Sequence, residues 1–213
     1  MTEKRTEKFK EVVKKRQSNL TVILENVHDL HNIGAVLRTC DSVGIGEIFI
    51  LNTDPKLKDQ EYLHLAARSS SGARKWINVN FYTEIKPCFE HVRKQFDSIF
   101  CTHLGGDTQS LYDLDLTQSV ALLFGNEHEG VSEEALSYCD GNFLIPQVGM
   151  VQSLNISVAC AVSIYEAMRQ RMLKGFYDNN PTLSESEQAI LLNDYMRRHE
   201  LKIKNKSVRK LNH

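Results

Sequence analysis

The sequence predicts one α/β domain built on a mostly parallel sheet with helices on both faces. Two observations carry this. Short runs rich in β-branched and aromatic residues alternate with stretches whose apolar residues recur at helical spacing, the order that lays strand, helix and strand across a single sheet. A chain of 213 residues can also bury one core large enough to need no staples. The five cysteines, Cys40, Cys88, Cys101, Cys139 and Cys160, are odd in number and show no metal-ligand spacing. They read as reduced thiols of a cytoplasmic protein without a metal site.

The elements follow in order. Residues 4–16 suit a short basic helix, and TVILEN at 21–26 suits the first strand. In HNIGAVLRTCDSVG, Ile33, Val36, Leu37 and Cys40 fall at helical spacing and Gly44 is placed to stop the helix. EIFILNT at 47–53 is a second strand. The segment 59–75 is weakly helical, with RSSSGARK suiting a loop, and WINVNFY at 76–82 alternates like a strand. EIKPCFEHVRKQF forms a helix only if Pro87 lies in its first turn. SIFCTHL, SVALLFG and NFLIP supply three more short strands, and Ser132, followed by Glu133 and Glu134, marks the start of a helix between the last two.

From Leu154 to about Lys174 a helix shows a broad apolar face of Ile156, Val158, Ala159, Val162, Ile164, Tyr165 and Met168. After YDNNP, Ser184 and Glu187 form a capping box ahead of a last helix that ends in basic residues. The expected organisation is a basic helical arm over 1–19, the α/β domain over 20–174 and a basic helical extension over 175–213.

Charge is unevenly spread. Residues 1–16 carry seven Lys/Arg against three Glu, +4, and residues 197–213 carry seven against one, +6, which leaves −11 on residues 17–196. Two basic arms on an acidic body suit a nucleic-acid binder, and they equally suit solvated Lys-rich helices. The charged N-terminus has no apolar stretch of signal-peptide type, and no window reaches membrane-spanning length.

The two commonest nucleotide-binding loops, GxGxxG after a first strand and GxxxxGK[ST], are absent. So are HExxH, a Cys/His cluster and GxSxG. Three polar stretches at strand ends remain. HNIGAVLR puts Asn32 at the mouth of a helix with Arg38 six residues on, roughly on the same side. FGNEHEG places Glu127 in a Gly-flanked loop. IPQVGMVQSLNISVAC sets Gln152, Ser153 and Asn155 in an apolar run, where an unpartnered polar group is costly if buried. Taken singly, each has a plain structural reading: an Asn cap with an exposed Arg, a solvated turn, and a cap from Ser153 or Asn155.

Together, NIGAVLRTCDSVG, LLFGNEHEGVS and IPQVGMVQSLNISVACAVSIYE resemble the three motifs of the SpoU-type RNA 2′-O-ribose methyltransferases of the SPOUT superfamily, in order and spacing, over about residues 20–172. The length, the basic N-terminal helix and the C-terminal extension are most similar to the branch that methylates guanosine 18 in the tRNA D-loop. The same motifs serve enzymes of ribosomal RNA and of the tRNA anticodon loop, and a non-catalytic RNA-binding protein on this fold is the remaining alternative.

The resemblance implies a deep trefoil knot in the C-terminal part of the fold. It implies S-adenosylmethionine held by Thr102, Gly125, Ile145, Met150 and Leu154. Arg38 is implied as the principal catalytic residue, as a base or as a cation that stabilises the developing alkoxide, with Asn32, Glu127, Ser153 and Asn155 around it. A homodimer with tRNA bound across it is implied as well, the basic arms gripping phosphates.

Overall fold

The computed structural model describes residues 2–57, 72–105 and 107–200, together with the backbone of 208–210. Strand β1 (Leu20–Glu25) is buried along its whole length, as a central strand covered on both faces must be. Around it lie β2 (Glu47–Leu51), β3 (Asn78–Tyr82), β4 (Ser98–Thr102), the two-residue β5 (Gln109–Ser110), β6 (Val120–Phe124), β7 (Gly141–Leu144) and β8 (Val208–Lys210). Their order is β5-β7-β4-β6-β1-β2-β3-β8, and every pairing is parallel. β8 pairs with β3, so residues 208–210 of the basic extension form an edge strand rather than part of a helix.

The period-two alternation of the strands divides the core. Val22, Leu24, Ile48, Ile50, Leu122 and Phe124 face α2 (Leu30–Ser42) and α5 (Ile156–Leu173). Ile23, Phe49, Ile99, Ala121 and Leu123 face α3 (Ile85–Arg93) and α4 (Glu133–Leu136). Pro87 is the third residue of α3, where its missing N–H costs no helical hydrogen bond. Gly44 does end α2: its φ is +89°, and a Cβ there would sit 2.4 Å from the Lys15 carbonyl oxygen. The strand expected from Trp76 begins only at Asn78, because a 3-10 turn over Ala73–Lys75 precedes it. Most of the weakly helical stretch, residues 58–71, lies outside the described residues.

The two basic ends meet. α1 (Glu3–Lys14) and α6 (Glu185–Glu200) pack through Phe9, Val13 and Tyr195, and Arg16, counted above as part of a phosphate-seeking arm, is only 2% exposed. Its guanidinium reaches Tyr195 Oη at 2.7 Å, the Ile45 carbonyl at 3.0 Å and Asp41 Oδ1 at 2.6 Å. Burial requires such pairing of a charge, so Arg16 is a structural bolt. The capping box holds, with Ser184 N–H donating to Glu187 Oε2 at 2.8 Å and Glu187 N–H to Ser184 Oγ at 3.3 Å.

The face of α5 divides. Ile156, Cys160, Ile164 and Ala167 are buried against the sheet, whereas Val158, Tyr165 and Met172 are each about half exposed and lie seven residues apart along one line of the helix. No described helix is long and apolar enough to cross a membrane.

Candidate active site

The carboxyl ends of β7, β4, β6 and β1 lie side by side in the sheet, where open parallel sheets bind ligands. Ile145 follows β7, Thr102 ends β4 opposite Phe143, and Gly125 follows β6. Three of the five residues expected at a cofactor are therefore in one row. The other two, Met150 and Leu154, lie on the extended loop that runs from β7 to α5.

In the loop after β6, Asn126 and Gly130 exchange backbone hydrogen bonds at 2.9 Å, and Asn126 Oδ1 accepts from His128 N–H and Glu129 N–H. A Cβ on Gly125 would lie 2.2 Å from the Gly130 carbonyl carbon. The close approach this glycine permits is thus to its own loop. So tightened, the loop projects Glu127 outward, and Glu127 Oε1 accepts from Asn32 Nδ2 at 2.7 Å.

Asn32 does not cap α2. Asp29 does, by accepting from His31 N–H at 2.8 Å, so the Asn32 amide is free to bridge. Its Oδ1 accepts from Asn155 Nδ2 at 3.1 Å. Asn155 in turn is the N-cap of α5, its Oδ1 accepting from Ser157 N–H at 2.9 Å and Ser157 Oγ at 2.6 Å. One continuous run, Glu127 to Asn32 to Asn155, joins all three polar stretches.

Ser153 is exposed and forms no hydrogen bond among the described residues. Arg38 is not on the Asn32 side of α2. Six residues at 100° each put it about 120° away round the helix, and it is exposed, with no hydrogen bond or ion pair to a described residue. It lies one turn before Ser42, whose Oγ is 3.2 Å from Tyr165 Oη, so Arg38 borders the exposed stripe of α5.

From Pro146 to Ser153 every residue is exposed, and the backbone of 146–154 makes no hydrogen bond to a described residue. Val148 and Met150 are bare to solvent, at 106% and 99% relative exposure. Open main-chain donors and acceptors beside apolar side chains suit a flat heteroaromatic ligand. Among the described residues no three His, Cys, Asp or Glu side chains converge on a possible metal.

Two residues here escaped the sequence reading. Asn26, at φ +50°, accepts from Thr53 N–H and Asp54 N–H while its carbonyl accepts from Asn126 Nδ2 at 2.8 Å, tying together the loops after β1, β2 and β6. The left-handed region tolerates Asn, and an Asn closing an apolar strand is its only sequence trace. Glu25 is 1% exposed and accepts from Ser132 N–H and Oγ. Burial raises its pKa, and the Ser132 hydrogen bonds pull the other way.

The SpoU rRNA Methylase family model matches residues 19–165. The tRNA (guanosine(18)-2′-O)-methyltransferase of Thermus thermophilus is 40% identical over 197 residues, 92% of this chain and 98% of that protein. The crystal structure of the A. aeolicus TrmH/SpoU tRNA modifying enzyme superposes with a TM-score of 0.79 at 35% identity, over 95% of this chain and 98% of that one. The SpoU methyltransferase AviRb from Streptomyces viridochromogenes in complex with AdoMet superposes with a TM-score of 0.64 at 27% identity, over 74% and 62% of the two chains.

Proposed function

Because the chain belongs to the SpoU methylase family, we propose that it transfers a methyl group from S-adenosylmethionine to the ribose 2′-hydroxyl of guanosine 18 in tRNA, the activity its full-length relatives are named for. The observation that carries this reading is the run Glu127–Asn32–Asn155, which draws three motifs distant in sequence to one point beside the open 146–154 backbone.

The residues present fit the cofactor. The main chain of 146–154, unpaired among the described residues, and the bare Met150 offer what an adenine ring needs, with Leu154 closing that loop and Thr102, Gly125 and Ile145 along the strand ends beside it. When bound, S-adenosylmethionine supplies an electrophilic methyl group on a sulfonium, with a neutral thioether as leaving group. The 2′-hydroxyl proton passes to solvent water as the O–C bond forms and the S–C bond breaks, and the chain must align the ribose and steady the charge that develops on the 2′ oxygen.

Arg38 fills the second role. Its guanidinium cation has no hydrogen-bond or ion-pair partner among the described residues and is placed to engage an RNA phosphate and the developing alkoxide. Asn32 and Asn155 hold Glu127 toward the reaction, and Ser153 presents a free hydroxyl at the same edge.

The working unit is a homodimer on a C-terminal trefoil-knotted fold. The stripe of Val158, Tyr165 and Met172, continued by the bare Val148, Met150 and Val151, supports an interface there. Arg38 borders that stripe and so faces the partner. The exposed Lys4, Lys8, Lys14 and Lys15 of the α1 arm meet tRNA phosphates, which makes binding weaken steeply with salt. Parallel incubations with labelled S-adenosylmethionine and either unmodified tRNA or unmodified ribosomal RNA test the function. Incorporation into tRNA is expected, and incorporation into ribosomal RNA alone contradicts it.

A further inference from the structure

The run that ends on Glu127 has a fixed sense, and its origin is Ser157, the second residue of α5. A backbone N–H can only donate. Ser157 N–H and Oγ both donate to Asn155 Oδ1, at 2.9 and 2.6 Å. With that oxygen taken, Asn155 presents Nδ2 to Asn32 Oδ1 at 3.1 Å, which leaves Asn32 only Nδ2 to give Glu127 at 2.7 Å. Were the Asn155 amide turned over, its NH2 would oppose the Ser157 N–H, and Asn32 would turn an oxygen toward the carboxylate.

We propose that Ser157 is a positioning residue for Glu127: its backbone N–H sets the amide sense of Asn155, its hydroxyl adds the second hydrogen bond that holds that amide in place, and through Asn32 the amide clamps the Glu127 carboxylate. Ser157 touches neither reactant in this account. It acts only through two side chains, across three hydrogen bonds. The inference rests on the methyl-transfer reading, since Glu127 matters to turnover only if the site works on RNA.

The test compares the full-length wild type with Ser157→Ala, Ser157→Thr and Asn155→Asp. Alanine keeps the backbone N–H and is favoured in a helix, so the fold survives. Expected for Ser157→Ala is a kcat about tenfold lower, the scale of one lost hydrogen bond. KM for tRNA and the S-adenosylmethionine Kd should stay within twofold, and threonine should restore the rate. Asn155→Asp, which accepts from Ser157 but cannot donate to Asn32, should lose at least as much. Side-chain amide exchange by NMR gives a second readout: the Asn32 Nδ2 hydrogens exchange slowly in wild type and faster in Ser157→Ala.

Wild-type kcat in Ser157→Ala overturns the proposal, as does a threonine variant as slow as the alanine one or a loss matched by weaker cofactor binding. If wild type methylates no tRNA, the functional reading fails by itself. The relay is then judged on amide exchange, and equal exchange in wild type and Ser157→Ala overturns it.

Discussion

Arg38 is exposed, and its side chain has no hydrogen bond or ion pair to a described residue, so replacing it with alanine removes a charge without opening a buried cavity or orphaning a polar partner. We expect Arg38→Ala to lose at least 100-fold in methyl transfer, the scale of losing one transition-state stabiliser, with S-adenosylmethionine binding and thermal stability unchanged. Near-normal turnover would remove Arg38 from the chemistry. Glu25 is the converse case, a carboxylate whose partner is structural. Its pKa is raised in the fold, so the stability it contributes is whole below the unfolded value and is lost as pH rises through the folded one. Unfolding of Glu25→Gln followed against pH should lack that fall. A variant with the same slope as wild type would mean that Glu25 does not titrate in the fold. Asn32, Glu127 and Asn155 were legible in the sequence because each stands in a motif. Ser157 was not, because a Ser in the first turn of a helix looks like every other one.

Among the elements, the pairing of α1 with α6 changes how the arms must be tested. Removing residues 1–16 would also remove Phe9, Val13 and Arg16 from a packed cluster, so a loss of tRNA binding would say nothing about phosphates. Charge reversal at the exposed Lys4, Lys8 and Lys14 leaves the packing alone. It should weaken tRNA binding at least tenfold at low salt and flatten the salt dependence, while the S-adenosylmethionine Kd stays put. An unaltered tRNA affinity would take the arm out of RNA recognition. The sequence showed both arms as charge, but not that they touch, because contact between the two ends of a chain leaves no local signal. Arg171 was hidden in the same way. In the sequence it is only a basic residue near a helix end, yet it is 0% exposed and bonds Asn19, Gln17 and the carbonyls of Leu116 and Gln118. Burial pushes its pKa down to about 10. Arg171→Ala orphans these acceptors and opens a cavity, so denaturant unfolding should show a loss of about 3 kcal/mol or more.

For the whole molecule, most of the strand and helix order was legible because both periodicities are strong and β1 to β4, β6 and β7 lie in short apolar runs, whereas the short polar edge strands β5 and β8 carry no such signal. The proposed second use of the α5 face was not, because burial against the chain's own sheet and burial against a second copy select the same residues. Val158, Tyr165 and Met172, half exposed in a row, are the part of that face the chain's own sheet leaves uncovered. Tyr165→Glu should shift sedimentation from dimer to monomer and, since Arg38 borders the same stripe, reduce methyl transfer with it. A wild type that sediments as a monomer would contradict the dimer. The central claim, methylation of one ribose oxygen, is tested most directly by nuclease digestion and mass spectrometry of an unmodified tRNA transcript incubated with the protein and S-adenosylmethionine, beside a transcript carrying 2′-deoxyguanosine at position 18. The account predicts one added methyl on the ribose of guanosine 18 and none on the deoxy transcript. A methyl on a base, on another nucleotide, or on the deoxy transcript would contradict it.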